Sequence, residues 1–418
     1  MDRLTQSPMK RRMVSARWLT LLFQLLSLSL VLVFQRESLT ARSLGFSALL
    51  IVLTLLSQFL VNLFHQADSY LLMVTNMLFS IGVILIYRLS SFYGYRQLIF
   101  YSLGIALFFV AYFILEKTAD LWVSKVYFYF FAAAGLLIMT LLFGFVSGGA
   151  KNWIEIGGFS FQPSELAKVP FCFLIAGYYA NRQRMNTIKW GKYFLMGATY
   201  FLIALFFLQR ELGTAMVFMG VLFSAQIAFE ENKKLILLNF AFAAVGIVAA
   251  YFLFGHIRTR VDIWINPWVD MDGRGYQITQ SLFGIAAGGF FGTGLGLGHP
   301  QYIPLAYSDF IFSAILEEMG AFMGIAVILL YLLLVYRGMK ISLAQPNAFY
   351  SVLALCISVS FAAQALIMIA GVLKLIPLTG ITLPFMAHGG SSLVTSFVLL
   401  GILFYCSNAA LEVPNEKA

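Results

Sequence analysis

DFIFSAILEEMGAFMGIAVILLYLLLVY, residues 309–336, decides the fold. From Ala321 onward the stretch is almost wholly apolar, and it exceeds the roughly 20 residues that a helix needs to cross a bilayer core. Three carboxylates break the pattern. Asp309 stands at the mouth, and Glu317 and Glu318 lie about two helical turns further in. Charge inside a spanning helix is costly and marks a candidate functional site with a partner to be found.

The rest of the chain has the same character. It is 61% hydrophobic and 11% charged over 418 residues, against about half and a quarter in a soluble domain. Apolar runs of about 18 or more residues recur and are continuous rather than alternating, which excludes a β-barrel. About twelve spans are expected by length, near 18–34, 45–65, 69–87, 99–117, 125–146, 163–180, 193–208, 212–229, 235–254, 309–336, 348–372 and 384–407. Only QREL separates the seventh from the eighth, so these form a tight hairpin. The basic start followed by an apolar run looks like a signal peptide. However, the run continues to Phe34 without a small-residue cleavage site, and an uncleaved first span is expected.

The net charge of +9 does not point to nucleic acid. Lys and Arg are spread over short loops, including the N-terminal tail, NRQRMNTIKWGK, EENKK and YRGMK, as the positive-inside rule places them. Both termini are then expected in the cytoplasm. Arg36, Arg42, Arg88 and Arg96 go against the rule. The three cysteines (Cys172, Cys356, Cys406) lie in apolar runs and read as packing residues. The four histidines are scattered without metal-ligand spacing.

Three segments on the opposite side are rich in Gly, Pro, Trp and polar residues: 147–166, 255–308 and 373–392. Irregular backbone near membrane depth needs protein or a water-filled cavity around it, so the three are expected to converge on one outward-facing cavity. In the second segment Arg258 and Arg260 suit phosphate oxygens and equally suit headgroup anchoring. GTGLGLG lacks the spacing and context of a nucleotide loop. In the first segment Glu165 and Lys168, three apart, share a helix face. Ser308 fits an N-cap, which would put Asp309 in the first turn, where the helix field lowers its proton affinity. An ionised carboxylate there can accept a proton from a hydroxyl. Glu317 and Glu318 are expected to bond to basic or backbone groups of neighbouring helices.

GGAKNWIEIGGFSFQPSELAK, LGTAM, RTRVDIWINPWVD, GYQITQS, SDFIFSAILEEMG and IPLTGITLPFMAHGGSSL occur in the order found in the SEDS proteins of bacterial shape, elongation, division and sporulation, of the FtsW, RodA and SpoVE kind. The chain resembles that family over roughly residues 69–410. The resemblance implies an all-α polytopic membrane protein with a ten-helix core. Residues 18–68 would then be two additional N-terminal helices, 1–17 a basic cytoplasmic tail and 411–418 a second tail. It implies a peptidoglycan glycosyltransferase of the plasma membrane that polymerises lipid II beside a class B penicillin-binding protein.

By the same resemblance Asp309 is the essential carboxylate, and Trp153, Glu165, Lys168, Arg258 and Arg260 are substrate-binding candidates. Gln162, Ser164, Glu317, Glu318, Gly389, Gly390 and Ser391 are expected to line the site. No cofactor is certain, and a divalent cation (Mg or Mn) is possible. A lipid II flippase and a non-catalytic scaffold are the competing classes. The chain departs from the family at Leu305, where many relatives carry Glu, at Arg210 and Glu211 in place of Pro-Asp, and at Ala387 and His388 in place of Ser-Tyr.

Overall fold

The computed structural model describes residues 8–34, 40–64 and 67–409. Residues 1–7 of the expected N-terminal tail, and the expected tail 411–418, lie outside the described residues; residues 8–17, also expected in that tail, belong to the first helix. The helices are α1 (Pro8–Phe34), α2 (Ala41–Asn62), α3 (Tyr70–Leu89), α4 (Ser91–Thr118) and α5 (Val126–Phe143). After α5 come three short strands, β1 (Phe145–Ser147), β2 (Ala150–Ile156) and β3 (Phe159–Phe161). The chain continues with α6 (Pro163–Ala180), α7 (Arg182–Thr187), α8 (Gly191–Gln209), α9 (Leu212–Phe229) and α10 (Lys233–Leu253). It ends with α11 (Gly255–Ile265), α12 (Tyr276–Gly288), α13 (Ile311–Ala344), α14 (Ala348–Val372) and α15 (Gly390–Ala409).

Eleven of the described helices are long and apolar enough to cross a membrane. The remaining expected span is α6. Its polar start, with Glu165 and Lys168, lowers its apolarity, yet it is mostly buried against α5 and α14. The molecule is an all-α multi-pass membrane protein. Its core centres on α3, α6, α14 and α15, where rings such as Phe171 and Phe218 (4.1 Å) stack between helices.

The two N-terminal helices are joined to this core by hydrogen bonds among apolar neighbours. Gln24 Nε2 donates to Thr54 Oγ1 (3.1 Å) and Ser80 Oγ (2.7 Å), and Asn76 Nδ2 of α3 donates to Ser57 Oγ of α2 (3.1 Å). Such contacts fix helix register where lipid offers no alternative partner.

Residues 147–161, expected as irregular chain, instead form an antiparallel meander ordered β1-β2-β3. Gly148-Gly149 and Gly157-Gly158 make its two turns, and all four glycines have positive φ. Two-residue turns with that geometry match the twist of a hairpin and favour Gly. The stretch 255–308 is likewise folded. Its α12 packs on α13 through buried Ile278, Ser281 and Gly284, with Ser281 Oγ 2.6 Å from Ser313 Oγ.

Helix α13 is interrupted at Gly320 (φ 76°, ψ 175°). The backbone groups released there pair with the chain after α12. Thr293 and Gly294 donate to the Glu317 and Glu318 carbonyls, and Ala321 and Phe322 donate to the Gly289 and Phe290 carbonyls. A Cβ on Gly320 would fall 2.3 Å from Gly292 N, so this joint requires glycine.

Candidate active site

The segment between α14 and α15, residues 373–389, is the hub of the polar end of the bundle. Each of the other irregular segments reaches it. Gln162 N donates to Ser391 Oγ just beyond it (3.0 Å), Arg260 Nη1 to the Leu378 carbonyl (2.8 Å), and Trp264 Nε1 to the Lys374 carbonyl (3.0 Å). His388 N donates to the Tyr307 carbonyl at 2.8 Å. Three segments distant in sequence thus meet at one place.

Asp309 lies there. It is not in the first turn of a helix. The chain makes successive turns from Ile303 to Phe310, α13 begins at Ile311, and Phe310 occupies the cap position without a side-chain cap. The expected N-cap at Ser308 is therefore corrected. So is the expected direction of the carboxylate's proton affinity. Burial raises it, with the Ser308 hydrogen bond and the Arg260 charge acting the other way. Desolvation outweighs the local positive field because Asp309 is only partly open to water.

Arg260 faces Asp309 across Gly380. A Cβ built on that glycine (φ +72°) would sit 3.7 Å from Asp309 Oδ2 and 3.8 Å from Arg260 Nη2. The glycine keeps open a gap that one carboxylate and one guanidinium border. Arg258 is elsewhere. It is exposed, donates to the Phe252 carbonyl (3.1 Å) and lies over the Tyr251 ring. Residues two apart on a helix point to different sides, so the pair divides.

Glu165 and Lys168 are both buried and form an ion pair at 2.6 Å. Lys168 Nζ also donates to Gln364 Oε1 (2.6 Å), and Gln364 Nε2 continues to the Thr382 carbonyl (2.8 Å). Beside this chain is Glu211, in the α8–α9 turn that Arg210 makes in the left-handed conformation. Glu211 Oε1 accepts from Gln162 Nε2 (2.6 Å), Ser164 Oγ (2.7 Å) and Thr214 Oγ1 (2.7 Å), whereas among the described residues its buried Oε2 has no partner. Burial pushes the Glu211 carboxyl up to about 7, opposed by the Thr214, Ser164 and Gln162 hydrogen bonds and reinforced by neighbouring Glu165.

Glu318 pairs with Arg88 (3.0 Å), whose Nη2 also donates to the Gly298 carbonyl. Glu317 Oε1 accepts from His299 N at 2.6 Å. Both glutamates therefore clamp the 289–306 chain to α13. Trp153 lies in β2, half-buried and in register with Phe145. Gly389 packs near Thr382, and Gly390 opens α15 against the Phe100 ring.

The sequence reading did not assign Gly380, Gln364, Tyr307 or His388 to the site. It also missed a cavity of about 440 Å³ between the α8–α9 turn and the α10–α11 junction, lined by Arg210, His256 and apolar residues such as Phe207 and Phe254. Only the positional departures at 210 and 388 hinted at these. Among the described residues no group of three or more His, Cys, Asp or Glu side chains converges as a metal cage.

A multi-pass helical protein with a carboxylate and a guanidinium bordering one glycine where three irregular segments meet is the class that fold and site define. The family profile described as "Cell cycle protein" (FtsW/RodA/SpoVE) matches residues 68–411, and the chain belongs to that family. The peptidoglycan glycosyltransferase RodA of Mycobacterium tuberculosis is 33% identical over 371 residues, 82% of this chain and 78% of the relative. Stage V sporulation protein E of Bacillus subtilis is 32% identical over 365 residues, 81% and 96% respectively.

Among solved structures, a chain described under "Structural coordination of polymerization and crosslinking by a peptidoglycan synthase complex" superposes with a TM-score of 0.69 at 25% identity, covering 83% of this chain and 99% of that one. The Thermus thermophilus rod shape determining protein RodA superposes with a TM-score of 0.60 at 24% identity, covering 82% and 96%. The family match begins at residue 68, so α1 and α2 precede it.

Proposed function

We propose that this chain is a peptidoglycan glycosyltransferase that polymerises lipid II, an undecaprenyl-diphosphate-linked disaccharide-pentapeptide, at the outer face of the plasma membrane. The observation that carries the reading is Asp309 facing Arg260 across Gly380, in a chain whose relatives are named for that activity. Asp309 is the general base. It takes the proton from the acceptor sugar 4-hydroxyl as that oxygen attacks the donor's anomeric carbon, and the diphosphate leaves with the bonding pair. A single displacement inverts an α-linked donor to a β-linkage.

A proton affinity raised by burial brings an aspartate nearer the pH at which a base works best. Arg260 is the cation placed to meet negative charge growing on the leaving diphosphate. Lys168 is already neutralised by Glu165, and its role is to order the Gln364–Thr382 wall. The cavity beside Arg210 and His256 offers apolar walls and positive charge to the prenyl-diphosphate end of the donor. A Mg or Mn ion would take its ligands from Asp309 and the substrate diphosphate, since magnesium commonly uses one or two carboxylates with phosphates. The termini face the cytoplasm, and a class B penicillin-binding protein is the partner.

The test is glycan-chain formation by purified protein given lipid II in detergent, with and without a penicillin-binding protein. A flippase or a scaffold makes no polymer there. Arg260→Ala is expected to lower kcat/KM by about ten- to a hundredfold, the range for lost hydrogen bonds to a charged group. Arg258→Ala should fall by less than about threefold, since exposed charges contribute little. Equal losses would remove Arg260 from the diphosphate role.

A further inference from the structure

His388 reaches the cleft beside Tyr307, two residues before Asp309. It is half-buried. Its ring centroid lies 4.8 Å from that of Tyr93 and 5.9 Å from that of Tyr307, and the two tyrosines stack at 4.5 Å. Its Nδ1 is 3.0 Å from Gln97 Oε1. The Gln97 amide is itself oriented, because its Nε2 donates to the Ala387 carbonyl at 2.9 Å. That leaves the amide oxygen facing the imidazole, and an oxygen there requires a donor. Nδ1 therefore carries the ring proton, and Nε2 is a free acceptor. Among the described residues Nε2 has no partner, and it is not sealed from water.

The groups around the ring are Arg96, Tyr93, Tyr307 and, beyond Tyr307, Asp309. Burial, reinforced by Arg96, pushes the imidazole down to about 4. The ring is neutral at physiological pH, and the acceptor lone pair is available.

We propose that His388 Nε2 is a substrate contact, accepting a hydrogen bond from an acetamido N–H or hydroxyl of the amino sugar that it holds beside Asp309. This rests on the glycosyltransferase reading above. The bond would form in ground and transition states alike, so it sets KM rather than kcat.

The experiment compares KM and kcat for lipid II in the wild-type chain, His388→Asn and His388→Gln, each with a class B penicillin-binding protein present. Asn places its carboxamide near the Nδ1 position and keeps the Gln97 contact, but loses the Nε2 acceptor. Gln places an oxygen near Nε2. The Asn variant should raise KM about tenfold with kcat nearly unchanged, and Gln should stay within about threefold of wild type. Unchanged Asn kinetics, equal losses in both variants, or a fall in kcat at constant KM would overturn the assignment. If the Asn variant does not purify monodisperse, His388→Phe keeps a ring beside Tyr93 and Tyr307 and carries the same expectation. An inactive wild-type chain would remove the glycosyltransferase reading and this assignment with it. An active wild type with a flat KM across the variants removes only this assignment.

Discussion

Asp309→Asn is expected to lower glycan polymerisation by about 10²–10⁴-fold, the share usually supplied by a general base. The amide has nearly the size of the carboxylate and can still accept the Ser308 hydrogen bond, so expression and thermal stability should change little. What it loses is a basic oxygen. Asp309→Glu keeps the base but moves it by one methylene. Because a displacement of about 1 Å can cost around a hundredfold, it should rescue poorly.

The pH profile offers an independent check. The base works only when deprotonated, and burial raises its proton affinity. The acid limb of kcat/KM should therefore fall at a higher pH than an ordinary aspartate would give, and it should disappear in the Asn variant. Polymer formed at the wild-type rate by purified Asp309→Asn would end the base assignment.

Lys168→Met carries the second large effect. It strands Glu165 in a buried site whose counter-charge was 2.6 Å away, and breaking a buried pair from one side costs about 3–5 kcal/mol. The measurement is thermal unfolding in detergent, with loss of the monodisperse peak as the coarse readout. The Glu165→Gln, Lys168→Met double variant should recover much of that stability, because two neutral groups need no charge partner. Its activity then decides what Lys168 does. Recovery of polymerisation together with stability makes the pair a brace for the Gln364–Thr382 wall. Recovery of stability alone would put the ammonium on the substrate.

The spans were legible because lipid demands long, continuous apolar runs, and these survive any uncertainty about helix ends. The polar start of α6 was legible for the opposite reason, since Glu165 and Lys168 three apart can neutralise each other. The meander at 145–161 was missed although its signal was present: two Gly-Gly pairs separated by a strand-length run. The helix-cap reading of Ser308 failed because capping residues also favour turns, and a tertiary contact, His388 N to the Tyr307 carbonyl, holds this stretch in turns. The division of Arg258 from Arg260 follows from helical geometry alone once α11 is known to be helical. Gln364 and Gly380 could not be read in advance. A glutamine in an apolar helix and a glycine in a loop acquire meaning only from what folds against them.

The joint at Gly320 has a mechanical consequence. Backbone stitched to backbone has no rotamer slack, so residues 289–294 and the first turns of α13, which begins two residues after Asp309, must travel together. A load on the chain after α12 would reach the carboxylate through that short rod, as a latch moves with its handle.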